Sequence, residues 1–193
     1  KGINILGGCF AINGNCLTGS ANATTTTDVP IDCNMPQVGS EDFAPGGAYW
    51  YPLGAVGAWD FSDATSSSVY CIAHLPQNMN STPNAYIWTH VTATTSGTAI
   101  LNIEATTTTS GQNYKPTTYT VLNNASTTAS KRLVITGGTN YPSTATSTPV
   151  TNTLQAGQDL IIRYRRYGAD ANDTVNNDLF IPQQFLRLDV NVN

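Results

Sequence analysis

The sequence has few charged side chains and no long apolar run, and these absences exclude several classes of protein. Charged residues make up 10% of the 193 positions, against about a quarter in an ordinary soluble protein, and only three are lysine and two glutamate. No apolar run approaches the ~18 residues of a spanning helix, so we expect no membrane insertion. The formal net charge is -4 and no basic stripe is present to neutralise phosphate, so we expect no nucleic-acid partner.

The motifs that usually carry chemistry are missing as well. There is no G-x-S-x-G elbow, no G-x-x-x-x-G-K loop and no G-x-G-x-x-G turn, and the two histidines fall in predicted strands. The acidic pairs Glu41-Asp42 and Asp60 with Asp63 are close neighbours in sequence, whereas glycoside hydrolysis needs two carboxyls across a cleft. We therefore predict that the chain is not an enzyme and has no cofactor of its own.

Uncharged polar residues take the place of the missing charge. Threonine, asparagine and serine account for 61 residues, while hydrophobic residues still make up 40%. Threonine favours strands and asparagine favours turns. The composition therefore predicts an all-β protein with a neutral, hydroxyl-rich surface.

Residues 47–193 contain a succession of short runs in which apolar and polar residues alternate. In one of them, Ala99, Leu101 and Ile103 share a face. Eight such runs without a helical period predict an antiparallel β-sandwich, and the length of this segment suits a jelly-roll head domain. Pro182 predicts a bend or an edge in the last run. The runs lie at 55–61, 68–75, 84–93, 97–105, 117–123, 131–137, 158–167 and 178–192.

Residues 1–46 have a different pattern, which predicts a short N-terminal β-hairpin followed by a linker. The Asn13-Gly14 pair is a strong two-residue hairpin signal and places Ala11 opposite Cys16. The threonine-rich stretch at 21–28 is of low complexity and is interpreted as part of the linker. This segment is either a neck or shaft stabilised by copies of itself in an oligomer, or an arm that lies on the main domain.

The four cysteines are Cys9, Cys16, Cys33 and Cys71. None lies at C-x-x-C spacing and no histidine pair accompanies them, so we expect no structural zinc site. In the predicted hairpin Cys9 and Cys16 are not opposite each other. A disulfide would therefore need a different turn or another partner, and the alternative is a set of buried free thiols.

Short motifs at both ends of the chain resemble those of phage tail-fibre and virion-fibre proteins. The string AGQDLIIRYRR at 156–166 leads to DANDT at 170–174 and then to a final strand, as in the terminal jelly-roll heads of such fibres. Trp59 and the strand of Trp88 fall where that pattern has aromatic positions, and GGCFAINGNC at 7–16 is similar to short β segments of the shafts. The sequence departs from the pattern in its final strand, where Ile-Pro-Gln-Gln interrupts the hydrophobic run.

This resemblance implies a function as well as a fold. Fibre heads of this kind are homotrimers on the surface of the virion, and they attach to a glycan or protein of the host cell. The N-terminal side would then contact other virion proteins. Two alternatives remain open: a capsid-decorating or head fibre without a receptor, and a carbohydrate-binding module or adhesin of a bacterial surface protein.

Asp170, Asn172 and Asp173 form a cluster of oxygen-bearing side chains that is a candidate calcium site. An EF-hand count from Asp170 fails, because it lacks glycine at the sixth position and has Ile181 where a bidentate glutamate belongs. The second interpretation is a turn in which Asp and Asn side chains bond to backbone amides, with one of the preceding arginines nearby.

Tyr49, Trp50 and Tyr51 are the candidate ligand-binding residues. They lie in a segment framed by glycine and proline, where exposed rings would stack on the faces of sugars. The alternative is an aromatic cluster in the core or in a trimer interface.

Overall fold

The chain is all-β in the computed structural model, which describes residues 3–6, 9–12, 15–16, 24–33, 48–53, 56–108, 119–122, 131–135 and 143–191. These residues form fourteen strands, paired antiparallel throughout, and no helix; none of them therefore lies in a helix able to cross a membrane. The strands are β1 (Ile3–Leu6), β2 (Cys9–Ile12), β3 (Asn15–Cys16), β4 (Thr24–Pro30), β5 (Tyr49–Leu53), β6 (Val56–Phe61), β7 (Ser66–His74), β8 (Ala85–Ala93), β9 (Gly97–Thr108), β10 (Thr120–Val121), β11 (Lys131–Ile135), β12 (Ser143–Pro149), β13 (Asp159–Tyr167) and β14 (Leu179–Asn191).

The strand order is that of a jelly roll, as predicted. The six-stranded sheet has the order β12-β8-β14-β6-β5, with β4 beside the second half of β14, and the five-stranded sheet has the order β10-β9-β13-β7, with β11 also on β9. In chain order the eight main strands are β6, β7, β8, β9, β11, β12, β13 and β14. The first pairs with the eighth, the second with the seventh, the third with the sixth and the fourth with the fifth, so a long antiparallel hairpin is rolled into two packed sheets.

The core lies between the two sheets and follows the predicted alternation. Ala99, Leu101 and Ile103 of β9 point inward and are fully or almost fully buried, and Leu188 and Val190 of β14 do the same from the other sheet. Successive side chains of a strand point to opposite faces, so every second residue of these strands is left on an outer face.

Strand β14 organises the six-stranded sheet, because it pairs with three strands. Its first residues pair with β6, its second half pairs with β4, and β8 runs along its other side. Pro182 lies where the register with β8 shifts between Phe180 and Gln183. A proline there removes no regular ladder bond, and the interruption expected at Pro182 takes the form of this register shift.

The sandwich begins earlier in the chain than the pattern predicted. Strand β4 pairs with β14 from Thr24 to Pro30, and Ile31 and Cys33 are buried in the core. Residues 24–33 are therefore part of the sandwich and not of the linker predicted within 1–46. The threonine-rich stretch forms an edge strand, where a mostly exposed surface and a terminal proline are tolerated.

A disulfide joins Cys33 to Cys71, across 38 residues of sequence. Asp32 and Ile72 exchange backbone hydrogen bonds of 2.8 and 2.7 Å, so their neighbours Cys33 and Cys71 form the adjacent non-hydrogen-bonded pair. Side chains approach most closely at such pairs. These two cysteines are therefore not free thiols, whereas the side chains of Cys9 and Cys16, for which the pairing was considered, lie outside the described part of the structure.

The N-terminal strands form a separate three-stranded sheet in the order β1-β2-β3. Ala11 is opposite Cys16 and Ile12 opposite Asn15, as the Asn-Gly hairpin signal predicted. The preceding hairpin pairs Leu6 with Cys9. The hairpin is therefore confirmed, and its role as a neck stays a prediction.

Candidate functional site

The loop that was a candidate calcium site is held by a buried arginine. Arg166 is the last inward-pointing residue of β13, and Asp173 lies seven residues later. The guanidinium binds both carboxylate oxygens of Asp173, with Nε to Oδ2 at 3.0 Å and Nη2 to Oδ1 at 2.9 Å, and both side chains are fully buried. A bidentate pair of this kind fixes the geometry of both partners.

The remaining donors of Arg166 bind backbone carbonyls. Nη1 donates to the carbonyls of Phe61 and Asn177 at 2.9 and 2.8 Å, and Nη2 donates to that of Val175 at 2.6 Å. An arginine has five N–H donors, and all five are used here. Arg166 thus joins the loop 170–177 to the end of β6, which is a structural role.

The other two candidate calcium ligands form a turn. Oδ1 of Asp170 accepts hydrogen bonds from the backbone and side-chain amides of Asn172 at 2.8 and 3.0 Å. Within the described ranges, no group of three or more His, Cys, Asp or Glu side chains is arranged to hold a metal ion. This geometry is that of a turn held by Asp and Asn side chains, which was the alternative to a calcium site. A calcium ion would have to compete with Arg166 for Asp173.

The candidate aromatic residues of β5 do not share one surface. Trp50 and Tyr51 are consecutive in a strand and therefore point to opposite faces. Trp50 lies opposite Trp59, which packs against the core, whereas Tyr51 contacts Phe180 on the outer face of the six-stranded sheet. Tyr49 lies in the same strand, and its side chain is outside the described part of the structure.

The indole of Trp50 is exposed and yet held in place. Its exposed fraction is 58%, the largest among the large hydrophobic residues described. It meets the ring of Trp59 edge-on, with centroids 5.5 Å apart and planes at 71°. It also lies directly over Gly57, where an added Cβ would overlap the indole. The glycine therefore permits the ring to lie against the backbone of β6.

Asp60 is the carboxyl whose environment most resembles that of a catalytic acid. Burial and the charge of Asp178 raise the pKa of Asp60 to about 6, and the charge of Arg166 opposes them. Its side chain is buried, with the residue 3% exposed, and Oδ1 makes no hydrogen bond within the described part of the chain. A carboxyl so enclosed does not reach a substrate, so its titration affects stability.

His74, one of the two histidines of the sequence, lies on the surface at the end of β7. Its Nδ1 is 2.6 Å from Oδ1 of Asp159, and its side chain is 75% exposed. The pair joins the ends of two neighbouring strands. The prediction that this histidine falls in a strand is confirmed.

A second aromatic surface, which the sequence did not single out as a site, lies on the outer face of the six-stranded sheet. We call it the sheet-face cluster: Asp28, Tyr86, Trp88, Phe185 and Arg187. The rings of Trp88 and Phe185 are near-parallel, with centroids 6.2 Å apart and planes at 10°. The guanidinium of Arg187 lies 5.7 and 5.4 Å from their centroids.

An exposed ion pair completes the sheet-face cluster. Arg187 donates from Nε and Nη2 to the two carboxylate oxygens of Asp28, at 2.7 and 2.9 Å. These hydrogen bonds hold the pKa of Asp28 below its usual value, so the carboxylate stays charged at neutral pH. The alternation of Tyr86 and Trp88 was visible in the sequence, but their partners lie about a hundred residues away and no local pattern indicates them.

A cleft of about 550 Å³ lies at the end of the sandwich where β4 begins and β14 ends. Among the described residues that line it, none is aromatic or ionisable, so these residues offer neither a stacking surface nor an acid or base. The residues that line it are Thr24, Met79, Asn80, Ser81, Leu154, Gln155, Ala156 and Asn191.

No family model matches the sequence, and no curated protein matches it. Among solved structures the chain is similar to the C-terminal CBM6 of LamC, a marine laminarinase from Zobellia galactanivorans, at 12% identity and a TM-score of 0.39, over 85% of this chain and 98% of that one. It is also similar to the K2 cleaved adhesin domain of Lys-gingipain, at 10% identity and a TM-score of 0.38, over 86% and 88%. A third is TmCBM61 in complex with β-1,4-galactotriose, at 14% identity and a TM-score of 0.31, over 88% and 90%. The identities and TM-scores are low, so the jelly-roll assignment rests on the strand order of this chain itself.

Proposed function

We propose that the chain is a non-catalytic attachment domain that binds a glycan on a cell surface. The observation that carries the proposal is the exposed indole of Trp50, held over Gly57 and against Trp59. More than half of this side chain is left in water, where it adds nothing to the packing of the chain. An exposed aromatic ring with a fixed orientation is the usual platform for the apolar face of a sugar ring.

Two further features agree with a binding role outside the cell. Among the described residues, the exposed side chains are mainly hydroxyl and amide groups, which suit the hydroxyls of a sugar. The Cys33–Cys71 disulfide suits an oxidising environment, because disulfides rarely persist in the cytosol. Attachment at an extracellular surface accounts for both features, whereas an intracellular role accounts for neither.

The setting that we propose is the head of a trimeric virion fibre. The motifs at 156–166 and 170–174 support it, since they carry the resemblance to fibre heads, and β1–β3 precede the sandwich in the sequence, as a shaft segment would. A capsid-decorating fibre without a receptor is one alternative. The other is a carbohydrate-binding module or adhesin of a bacterial surface protein, and it would use Trp50 in the same way.

The test compares three variants on an array of neutral and acidic oligosaccharides. Trp50→Ala removes the ring, and Gly57→Ala displaces it without changing its chemistry. Val56→Ala is the matched control, because Val56 is 56% exposed on the same hairpin. We expect the first two variants to bind roughly tenfold more weakly than the wild type, and the control to bind as the wild type does. Unchanged binding by Trp50→Ala would contradict the assignment of this site, and a wild-type chain that binds no oligosaccharide would contradict the function.

A further inference from the structure

The sheet-face cluster is an aromatic surface that the core does not require. Trp88 and Phe185 are outside the buried hydrophobic core, and Tyr86 beside them is 41% exposed. Their positions follow from strand register: Trp88 is opposite Phe185, and Tyr86 is opposite Arg187. Two rows of the sheet thus present a ring pair and an ion pair side by side on one face.

The ion pair supplies hydrogen-bonding groups of both kinds next to these rings. Arg187 and Asp28 occupy directly opposite positions on β14 and β4, and their side chains are 42% and 48% exposed. Their two mutual hydrogen bonds use two of the five donors of the guanidinium and one acceptor site on each carboxylate oxygen. Donors and acceptors therefore remain for a ligand, and the pair as a whole is neutral.

We propose that the sheet-face cluster is a second binding subsite, for a neutral pyranose residue of a glycan. The C–H face of the sugar would lie on the rings of Trp88 and Phe185. Two neighbouring hydroxyls would accept from Arg187 and donate to Asp28, and each hydroxyl can do both. An acidic sugar is disfavoured, because its carboxylate would compete with Asp28 for the guanidinium. The inference shares its ligand class with the proposed function, but it rests on residues distinct from Trp50.

The experiment is affinity electrophoresis of the intact chain in native gels that contain a soluble β-glucan, a galactan, a mannan or, as the acidic case, alginate. Trp88→Ala removes one ring, and Asp28→Asn keeps the shape of the acceptor but removes its charge. Thr26→Ala is the control, since Thr26 is exposed on the same face of β4. We expect retardation by at least one neutral polysaccharide, about tenfold weaker in Trp88→Ala and about threefold weaker in Asp28→Asn. The control should match the wild type.

Each other outcome has a definite meaning, once thermal unfolding shows that the variants are folded. Wild-type retardation in both Trp88→Ala and Asp28→Asn overturns the subsite, and if Trp50→Ala alone loses binding the proposed function stands. Retardation by alginate only overturns the neutral-sugar assignment. If Trp88→Ala leaves retardation intact but lowers the sedimenting mass, the surface is a contact between copies of the chain. If no gel retards the wild type, both the subsite and the proposed function fail.

Discussion

Arg166 connects the end of strand β13 to the acidic loop that follows it. The five donors of the guanidinium join one carboxylate and three carbonyls that come from different parts of the chain. A lysine has a single nitrogen with three donors and cannot satisfy this set. In this chain the motif therefore encodes how the loop is held against the sandwich.

Replacing Arg166 by lysine should lower the free energy of unfolding by about 3 to 5 kcal/mol, because the carboxylate of Asp173 would remain buried with incomplete compensation. Urea denaturation measures the difference. The matched control is Arg165→Lys, since Arg165 is on the outer face and contacts only the ring of Tyr167 among the interactions described for it. If Arg166→Lys lowers the free energy of unfolding by less than about 1 kcal/mol, the hydrogen bonds of Arg166 are not essential for stability.

Asp60 should make the stability of the fold depend on pH. Its pKa in the folded chain is about 6, against 3.8 for an unperturbed aspartate, so the folded state binds the proton more tightly. The stabilising contribution is complete below pH 3.8 and is lost as the pH rises through 6. Asp178 and Arg166 are the charged groups that act on it.

The Asp60→Asn variant should therefore be more stable than the wild type at pH 7, by at most about 3 kcal/mol, and equally stable near pH 4. Thermal unfolding at a series of pH values gives the difference between the two curves. Asp63→Asn, on the loop that follows, serves as the control and should not change the pH dependence. A constant difference between wild type and Asp60→Asn across this range would contradict the assignment.

At the level of strands, the alternation of apolar and polar residues predicted the strands that contribute a full row of side chains to the core. It missed the short aromatic strand β5, and it missed β4 and β12, whose sequences are TTTTDVP and STATSTP. Both are edge strands built mainly from hydroxyl residues, so they contain no apolar–polar contrast to detect. Thr148 of β12 is nevertheless fully buried, because tertiary packing decides which face of such a strand is covered.

The candidate site was predictable only in part, for the same reason. Exposed aromatic residues were expected in the segment that forms β5, and Trp50 is exposed. Its support by Trp59 and Gly57 depends on the β5–β6 register. The partners of Trp88, Phe185 and Arg187, come from β14, and a pairing over about a hundred residues leaves no trace in local sequence.

The disulfide joins the segment after β4 to β7, and its loss should be costly. A closed loop of 38 residues corresponds to about 4 kcal/mol of unfolding free energy in the chain-entropy description. We expect a reductant to lower the urea midpoint of the wild type, and the Cys33→Ala/Cys71→Ala double variant to resemble the reduced wild type. If the double variant unfolds at the midpoint of the oxidised wild type, this cross-link contributes nothing.

For the whole molecule we expect a homotrimer, in which residues 1–23 provide much of the association. The N-terminal sheet has only three short strands, and so small a sheet is marginal alone in water. Identical segments of symmetry mates would bury its apolar residues. The intact chain should sediment at about three times 20.5 kDa. Removal of 1–23 should shift the sedimenting species from trimer toward monomer, while the strand content of the sandwich is retained. Sedimentation of the intact chain as a monomer at micromolar concentration would refute the trimer.

The position of β14 also has a consequence for biosynthesis. Three of the five pairings in the six-stranded sheet involve this strand, yet it is translated after the other thirteen. Until it leaves the ribosome, β4, β6 and β8 lack a partner along one edge, and β4 waits for about 150 residues of synthesis. Contacts so distant in sequence fold slowly and leave strand edges exposed meanwhile. The nascent chain should therefore depend on chaperones until its last strand emerges, and a ribosome that stalls before it would release a product unable to close the sheet.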